Sequence, residues 1–367
     1  MVPKPEANAA VARPNAAAAR HRGAVVNPAN RFEALHFEPD ADAEGDSDEK
    51  PLPRTQFLRD LTQSIITYNS SPDVGFDASI NPYRGCEHGC IYCYARPFHE
   101  YLGFSSGLDF ESKIMVKLDA PKLLRQELSK PSWNPQVLAM SGVTDAYQPI
   151  ERKLKLTRAC LEVLAEFRNP VGIVTKNQLV TRDVDLLSEL ARHNAAIVYV
   201  SVTSLNSELR SVLEPRTSPP AARLAAIRTL AQAGIPTGVL AAPVIPGLTD
   251  HELPAILSAA AQAGAKFAGY ITLRLPHAVA PLFENWLERH YPASKEKVLN
   301  RIRSLRDGKL NDSNFGSRMR GQGIFADQIA QLFQVASHRA GLSQHGPRIS
   351  AAAFRRPGGA QLSLDFE

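Results

Sequence analysis

Cysteine is scarce in this chain: 367 residues carry four, at positions 86, 90, 93 and 160. A disulfide-stapled scaffold would spread more of them along a shorter chain. No run of eighteen apolar residues occurs, which argues against a membrane-spanning helix. The first 22 residues are rich in Ala, Pro and Arg but lack a continuous apolar stretch, so a secretory signal is not expected there. Their composition imitates an organelle transit peptide, yet Pro3, Pro5 and Pro14 oppose the amphipathic helix such a peptide needs. Apolar side chains are nearly missing from residues 38–49, which are acidic and cannot offset ordering entropy by burial. Residues 1–50 are therefore expected to form a disordered tail, with a short ordered clip at residues 30–33. Strong charge is missing too. The net charge of +5 is compatible with nucleic acid or an anionic cofactor without demanding either.

Hydrophobic residues make up 44% of the chain, enough for a sizeable core. From residue 56 to residue 275, short apolar runs alternate with helical periodicity. Runs at 78–81, 137–140, 171–175, 196–202, 235–244 and 267–275 read as strands. Segments 154–167, 184–193, 221–233 and 253–263 show apolar spacings of three and four. Six strand–helix units in series predict a parallel α/β sheet with right-handed crossovers. Six are too few for a closed eight-stranded barrel, so an open partial barrel or a doubly wound sheet is expected. In both, chemistry belongs at the carboxyl ends of the strands. The expected organisation is a core over residues 51–277, a helical, basic C-terminal extension over 278–345, and a flexible tail over 346–367.

Three of the four cysteines fall within eight residues, in the run RGCEHGCIYCY at 84–94. The spacing is Cys-x3-Cys-x2-Cys, with Tyr92 just before the third. Thiolates crowded in this way, in a chain with no expected export signal, point to metal in a reducing cytoplasm. Soft sulfur ligands select iron–sulfur clusters, zinc or Cu(I). A structural zinc site takes four protein ligands, and the zinc alternative would draw on His88 or His99 for the fourth. Cys160 sits in an apolar helical pattern and reads as core. Three thiolates on a [4Fe–4S] cluster leave one iron open to a substrate or cofactor. S-adenosylmethionine (SAM) needs that vacancy, where its methionine amino and carboxylate groups chelate the iron. Gly85 and Gly89 permit the tight loop, and the Tyr92 ring is suited to stacking near adenine.

The cysteine run resembles the radical SAM superfamily motif, and the six-strand layout resembles that superfamily's partial (β/α)6 TIM-type barrel. Residues 81–96 resemble more specifically the spore photoproduct lyase-related, DNA repair photolyase-like group. The resemblance implies an enzyme that cleaves SAM reductively to a 5′-deoxyadenosyl radical, with Cys86, Cys90 and Cys93 as cluster ligands, fed by a reductant such as flavodoxin or ferredoxin. It implies SAM contacts from Gly142, Thr144 and Asp145 after the second strand. Lys176 and Ser201 are candidates at the barrel mouth, the alternatives being a solvated lysine and a core serine. Arg223 is a candidate for the SAM carboxylate, the alternative being a surface salt bridge. Val244 and Ile245 lie in a segment resembling the superfamily's adenine-contacting stretch. Arg274 and His277 are candidates for substrate contact.

One departure stands out. Spore photoproduct lyases place a hydrogen-donating cysteine after the triad, and here no cysteine lies between Cys93 and Cys160. The family resemblance favours a nucleic acid lesion or base as substrate, with Arg301, Arg303, Arg306, Lys309, Arg318 and Arg320 as candidates for phosphate neutralisation. The alternatives are radical modification of a protein or small molecule, and a non-catalytic zinc or iron–sulfur module. Residues 361–366, QLSLDF, resemble the peptide that bacterial proteins insert into the replication sliding clamp. No membrane partner is expected.

Overall fold

A computed structural model describes residues 22–33 and 54–357. Its centre is a parallel sheet whose strands follow chain order: β1 (Ala78–Ile80), β2 (Leu138–Met140), β3 (Val171–Thr175), β4 (Ala196–Ser201), β5 (Thr237–Val244) and β6 (Phe267–Thr272). Each pairs with its predecessor. A seventh strand, Ile66–Tyr68, adds antiparallel to β1 and ends the sheet. Among the described residues β6 does not pair with that edge, so the barrel is partial and open. A second sheet joins Gln56–Arg59, Lys113–Val116 and Tyr83–Arg84 beside the loop that leaves β1.

The strands form where apolar, often β-branched residues run continuously, because helices cover the sheet. In β4, Ile197, Val198 and Val200 are all buried. The helix Leu156–Phe167 turns Leu156, Cys160, Leu161, Leu164 and Phe167 onto the sheet, a spacing that keeps one face inward. Cys160 is fully buried in the main core, as expected. A separate core lies between the cysteine loop and the helices Val279–His290 and Lys295–Ser304, centred on Trp286, Phe283 and Ile245. No helix among the described residues is long and apolar enough to cross a membrane.

Both ends depart from the sequence reading. Residues 22–33 fall in the stretch expected to be disordered, yet they pack on the cysteine loop. Gly23 and Ala24 donate backbone N–H groups to Glu111 at 3.0 and 2.8 Å. A Cβ on Gly23 would stand 1.8 Å from the Gly89 carbonyl oxygen, so only glycine allows this approach. The expected clip at 30–33 is present: Asn30 is buried and donates to the Glu100 carbonyl at 2.9 Å. At the other end, residues 346–357 lace the underside of the sheet. Ser350 donates to the Asn194 carbonyl and Arg355 to the Phe167 carbonyl, each at 2.9 Å, and Arg356 to the Trp133 carbonyl at 3.0 Å. Helix ends leave carbonyls unsatisfied, and those of Asn194 and Phe167 close two such ends just before β4 and β3. The clamp-like peptide at 361–366 lies outside the described residues.

Candidate active site

The loop that leaves β1 carries the three cysteines through an irregular, buried path at the carboxyl end of the sheet. Buried backbone needs partners, and side chains from distant segments supply them. Gln148 accepts from the Glu87 N–H at 2.9 Å and donates to the Gly85 carbonyl at 3.2 Å. Glu87 in turn accepts from the Ile150 N–H at 2.8 Å and pairs with Arg216 at 3.0 Å. Arg96, fully buried, donates to the carbonyls of Cys90 (3.0 Å), Gly89 (3.3 Å), Ser106 (3.1 Å) and Gly107 (2.9 Å). Its charge is met by the buried carboxylate of Glu111. Gly85 and Gly89 have φ of +79° and +68°, and a Cβ on Gly89 would reach 2.7 Å from Glu111. The expectation that these glycines shape the loop holds.

Cys86 and Cys90 are buried and Cys93 is partly exposed; none is in a disulfide. Burial pushes the Cys90 thiol well above its ordinary range, and nearby Glu214 and the other two cysteines add to this. Burial, then Cys86, raises Cys93 to about 11. Burial thus favours the neutral thiols of Cys90 and Cys93.

Beneath the loop lies a buried ion network. Glu214 accepts from the Tyr92 hydroxyl, from Thr203 at 2.7 Å and from the Arg223 guanidinium, with Lys176 Nζ 3.5 Å away. Burial opposes its ionisation, but Arg223 and Lys176 outweigh that and hold its carboxyl well below the usual range. Arg223 also donates to the carbonyls of Ser218 (2.8 Å) and Ser201 (3.0 Å) and to Thr217 (2.6 Å). Lys176 Nζ donates to the Ala242 carbonyl at 2.8 Å and lies 5.8 Å from the centre of the Tyr92 ring.

A second carboxylate, the largely covered Asp145, lies beyond β2. It accepts from Thr175 Oγ1 (2.8 Å), the Lys176 N–H (2.8 Å) and the Tyr147 N–H (2.9 Å), and stands 3.4 Å from His88 Nδ1. The other nitrogen of His88 meets Asn177 at 3.1 Å. Burial disfavours a charged His88, but Asp145 and Cys86 override it and raise the imidazole to about 10. Above the loop Tyr94, 42% exposed, donates to the Gly142 carbonyl at 2.6 Å, and the Arg274 guanidinium stands 5.3 Å from its ring centre. One tyrosine thus touches the ends of both β2 and β6, a measure of how far the sheet curls.

A family model for the radical SAM superfamily matches residues 80–260. An uncharacterized protein of Mycobacterium tuberculosis is 38% identical over 267 residues, 72% of this chain and 77% of that one. An uncharacterized protein of Methanocaldococcus jannaschii is 31% identical over 60% of this chain and 79% of its own length. The chain belongs to the radical SAM superfamily. Among solved structures, a spore photoproduct lyase complexed with dinucleoside spore photoproduct superposes with a TM-score of 0.57 at 18% identity, over 78% of this chain and 81% of that one. A doubly substituted spore photoproduct lyase with bound AdoMet and dinucleoside spore photoproduct gives 0.54 at 20% identity, over 78% of this chain and 80% of that one. At such identities the likeness is one of fold, and it agrees with the open six-strand barrel.

The cofactors of this radical SAM protein are those of its superfamily, a [4Fe–4S] cluster and SAM, and the donor set fits them. Among the described residues no three His, Cys, Asp or Glu side chains gather around one point, as a lone metal ion requires. A cubane spreads its cysteines over separate irons, and its iron charge would offset the burial that raises these thiols. The zinc alternative loses His88, committed at both ring nitrogens. It keeps His99, whose buried Nε2 has no partner and whose ring packs against those of Phe104 and Phe110.

The other expected contacts fall on the same mouth but in different postures. Arg223 is 1% exposed with its donors spent on Glu214, Thr217 and two carbonyls, so neither a SAM carboxylate contact nor a surface salt bridge describes it. It braces the network instead. Tyr92 is buried with its hydroxyl on Glu214 and Lys176 over its ring, so it is not a free stacking face. Asp145 is saturated by local donors, and Thr144 donates to the Tyr83 carbonyl at 3.1 Å. Ser201 is buried, with its carbonyl on Arg223. The Val244 carbonyl takes the Leu273 N–H at 2.9 Å, and the Ile245 side chain fills the second core. Gly142 and Lys176 keep partial exposure at the mouth.

Sequence reasoning missed Glu111, Gln148 and Glu87, and it misread the basic extension. Arg306 is buried and donates to the Leu273 and Thr272 carbonyls at 2.7 and 3.2 Å, Arg301 pairs with Asp250 at 3.1 Å, and Arg318 with Asp73. Those three do not form a free phosphate-binding face, because acids and backbone carbonyls already neutralise them.

Proposed function

We propose that this protein cleaves SAM reductively and directs the resulting radical at a nucleic acid lesion or base, with Cys86, Cys90 and Cys93 as the cluster ligands. The observation that carries the reading is the set of three thiols on one dry, side-chain-anchored loop at the carboxyl ends of an open parallel sheet. When bound, the cluster and SAM supply a 5′-deoxyadenosyl radical through one-electron cleavage of the sulfonium. The chain's own residues hold that loop still. Arg96 fixes the Gly89 and Cys90 carbonyls, Gln148 fixes Gly85 and Glu87, and the Glu214 network fixes Tyr92. Lys176, its three donors spread over Ala242, Thr203 and Glu214, holds the floor of the mouth together. Gly142, Thr144, Asp145, Ser201, Val244 and Ile245 line or support the SAM side.

A nucleic acid substrate is supported by the shared fold with spore photoproduct lyase and by the basic pI near 9.0. The outcome differs from thiol-based repair in one respect. The fourth cysteine, Cys160, is fully buried in the main core, so no thiol is left at the mouth to donate hydrogen once the triad binds iron. A reducing compartment such as the cytoplasm, with a flavodoxin- or ferredoxin-type donor, suits this chemistry.

The test is anaerobic reconstitution with iron and sulfide, then dithionite and SAM, with 5′-deoxyadenosine measured with and without ultraviolet-irradiated DNA. A brown protein with about four irons per chain and DNA-stimulated 5′-deoxyadenosine is expected. Colourless protein holding one zinc would refute the radical reading. Cleavage indifferent to DNA would shift the substrate to a protein or small molecule.

A further inference from the structure

We infer that Arg274 and Tyr94 form a subsite for a nucleotide phosphodiester at the mouth, an inference that rests on the radical reading of the same site. Among the described residues, most arginines near the mouth are engaged by an acid or by backbone carbonyls. Arg96 is met by Glu111, Arg216 by Glu87, Arg223 by Glu214 and Arg318 by Asp73, while Arg306 is capped by backbone carbonyls. Arg274, two residues past β6, has a guanidinium that no carboxylate or carbonyl among the described residues accepts from; its recorded contact is the face of the Tyr94 ring. The acids in reach are spent. Asp73 takes Arg318 bidentately at 2.7 and 2.5 Å, and Asp312 takes Ser317 and the Asn314 N–H. Burial, then the neighbouring Arg318, depresses the Arg274 pKa. A guanidinium partly withdrawn from water beside a like charge is costly unless an anion arrives.

The neighbourhood says which anion. Tyr94 follows the cluster ligand Cys93 and is tied to the end of β2 through Gly142, so a ligand held here lies beside the reactive centre. An exposed aromatic ring beside a free guanidinium matches a nucleotide, whose base stacks and whose phosphate takes a two-pronged hydrogen bond. Phe315, 57% exposed, offers a second ring, though its neighbour Arg318 is already held by Asp73. A base reacting in this mouth must be single-stranded or flipped, and Arg274 would hold its flanking phosphate.

The experiment uses the full-length reconstituted protein and a fluorescein-labelled twelve-residue thymidylate strand, with anisotropy titrations over a range of KCl. Arg274→Gln is expected to weaken binding about tenfold at low salt and to lower the slope of log K against log salt by about 0.7, one single-strand phosphate contact. Arg274→Lys keeps the charge and recovers most of the affinity. SAM affinity, by equilibrium dialysis, stays parental in both. Equal strand affinity and slope in Arg274→Gln and the parent overturns the subsite. So does lost SAM affinity with unchanged strand binding, which assigns the guanidinium to the cofactor. A parent that cleaves SAM but does not bind the strand sinks the subsite and leaves the radical reading standing. A parent that binds the strand through Arg274 without cleaving SAM does the reverse.

Discussion

Replacing Glu111 by glutamine isolates the anchor of the cysteine loop. Glu111 is fully buried and takes three donors at once: Arg96 and the N–H groups of Gly23 and Ala24. Glutamine keeps the shape but removes the charge, which leaves the Arg96 guanidinium buried without a counter-ion. Breaking a buried pair from one side costs about 3–5 kcal/mol. Arg96 retains its four carbonyl acceptors, so the lower end, about 3 kcal/mol, is expected. For a chain of 367 residues that corresponds to roughly 4 °C in melting temperature. Arg96 grips the Cys90 carbonyl, so iron should also escape faster to a chelator in anaerobic protein. Deleting residues 1–24 removes the two backbone donors to the Glu111 carboxylate and the Arg22 bond to its carbonyl but keeps the ion pair, and should cost less on both readouts. Calorimetry and chelator kinetics on the reconstituted protein decide it. If Glu111→Gln melts within about 2 °C of the parent and releases iron at the parental rate, the loop is not held through this pair.

Cys160→Ala should lower stability by about 1–2 kcal/mol in denaturant titrations, a small core cavity, while iron per chain stays constant; lost iron would make Cys160 a ligand. Glu214→Gln should cost about 3 kcal/mol or more, and the double variant Glu214→Gln/Arg223→Met should recover much of it, since an apolar replacement removes the stranded charge; equal losses in single and double variants would contradict the buried pairing. His99 titrates at about 4, held down by burial first. A base depressed on folding contributes stability that is full above its ordinary value of 6.5 and is lost as pH falls from there toward 4. The parent should therefore lose about 2–3 kcal/mol more than His99→Phe between pH 7 and 4. Parallel pH profiles would show that the imidazole does not stay neutral in the fold.

The strands were legible because β4 and β5 are buried along most of both faces and so read as unbroken apolar runs. The cysteine site was legible because its donors lie within eight residues of one another. What was not legible is whatever depends on distance in the chain. Arg223 looked the same in sequence whether it faced water or Glu214. The spacing of Arg301, Arg303 and Arg306 suggested a basic face, but burial of Arg306 against Thr272 and Leu273 is set by how the extension folds back on β6. The packed strap at 22–33 and the lacing tail at 346–357 dock partly through backbone N–H groups, which every residue except proline carries, and partly through Asn30 and Arg356, whose partners are remote in the chain, so composition could not announce them.

The same physics explains why the anchoring residues are charged and remote. The cysteine loop is neither helix nor strand, and most of it is buried. Its carbonyls and N–H groups then have no ladder to join, and each needs a side chain long enough to reach it from another element. Arginine suits this, since one fork can satisfy several carbonyls, as Arg96 does with four. The charge of Arg96 is met by the buried carboxylate of Glu111, which the strap pins. Arg223 and Glu214 repeat this arrangement on the other side of the loop, with Tyr92 in place of the strap. Arg274 departs from the pattern. Among the described residues its guanidinium meets neither an acid nor a carbonyl, and it stands on the side where the loop turns outward through Tyr94. A partly withdrawn guanidinium with no acceptor among the described residues, set beside an aromatic ring at the mouth, is what the proposed phosphate subsite requires.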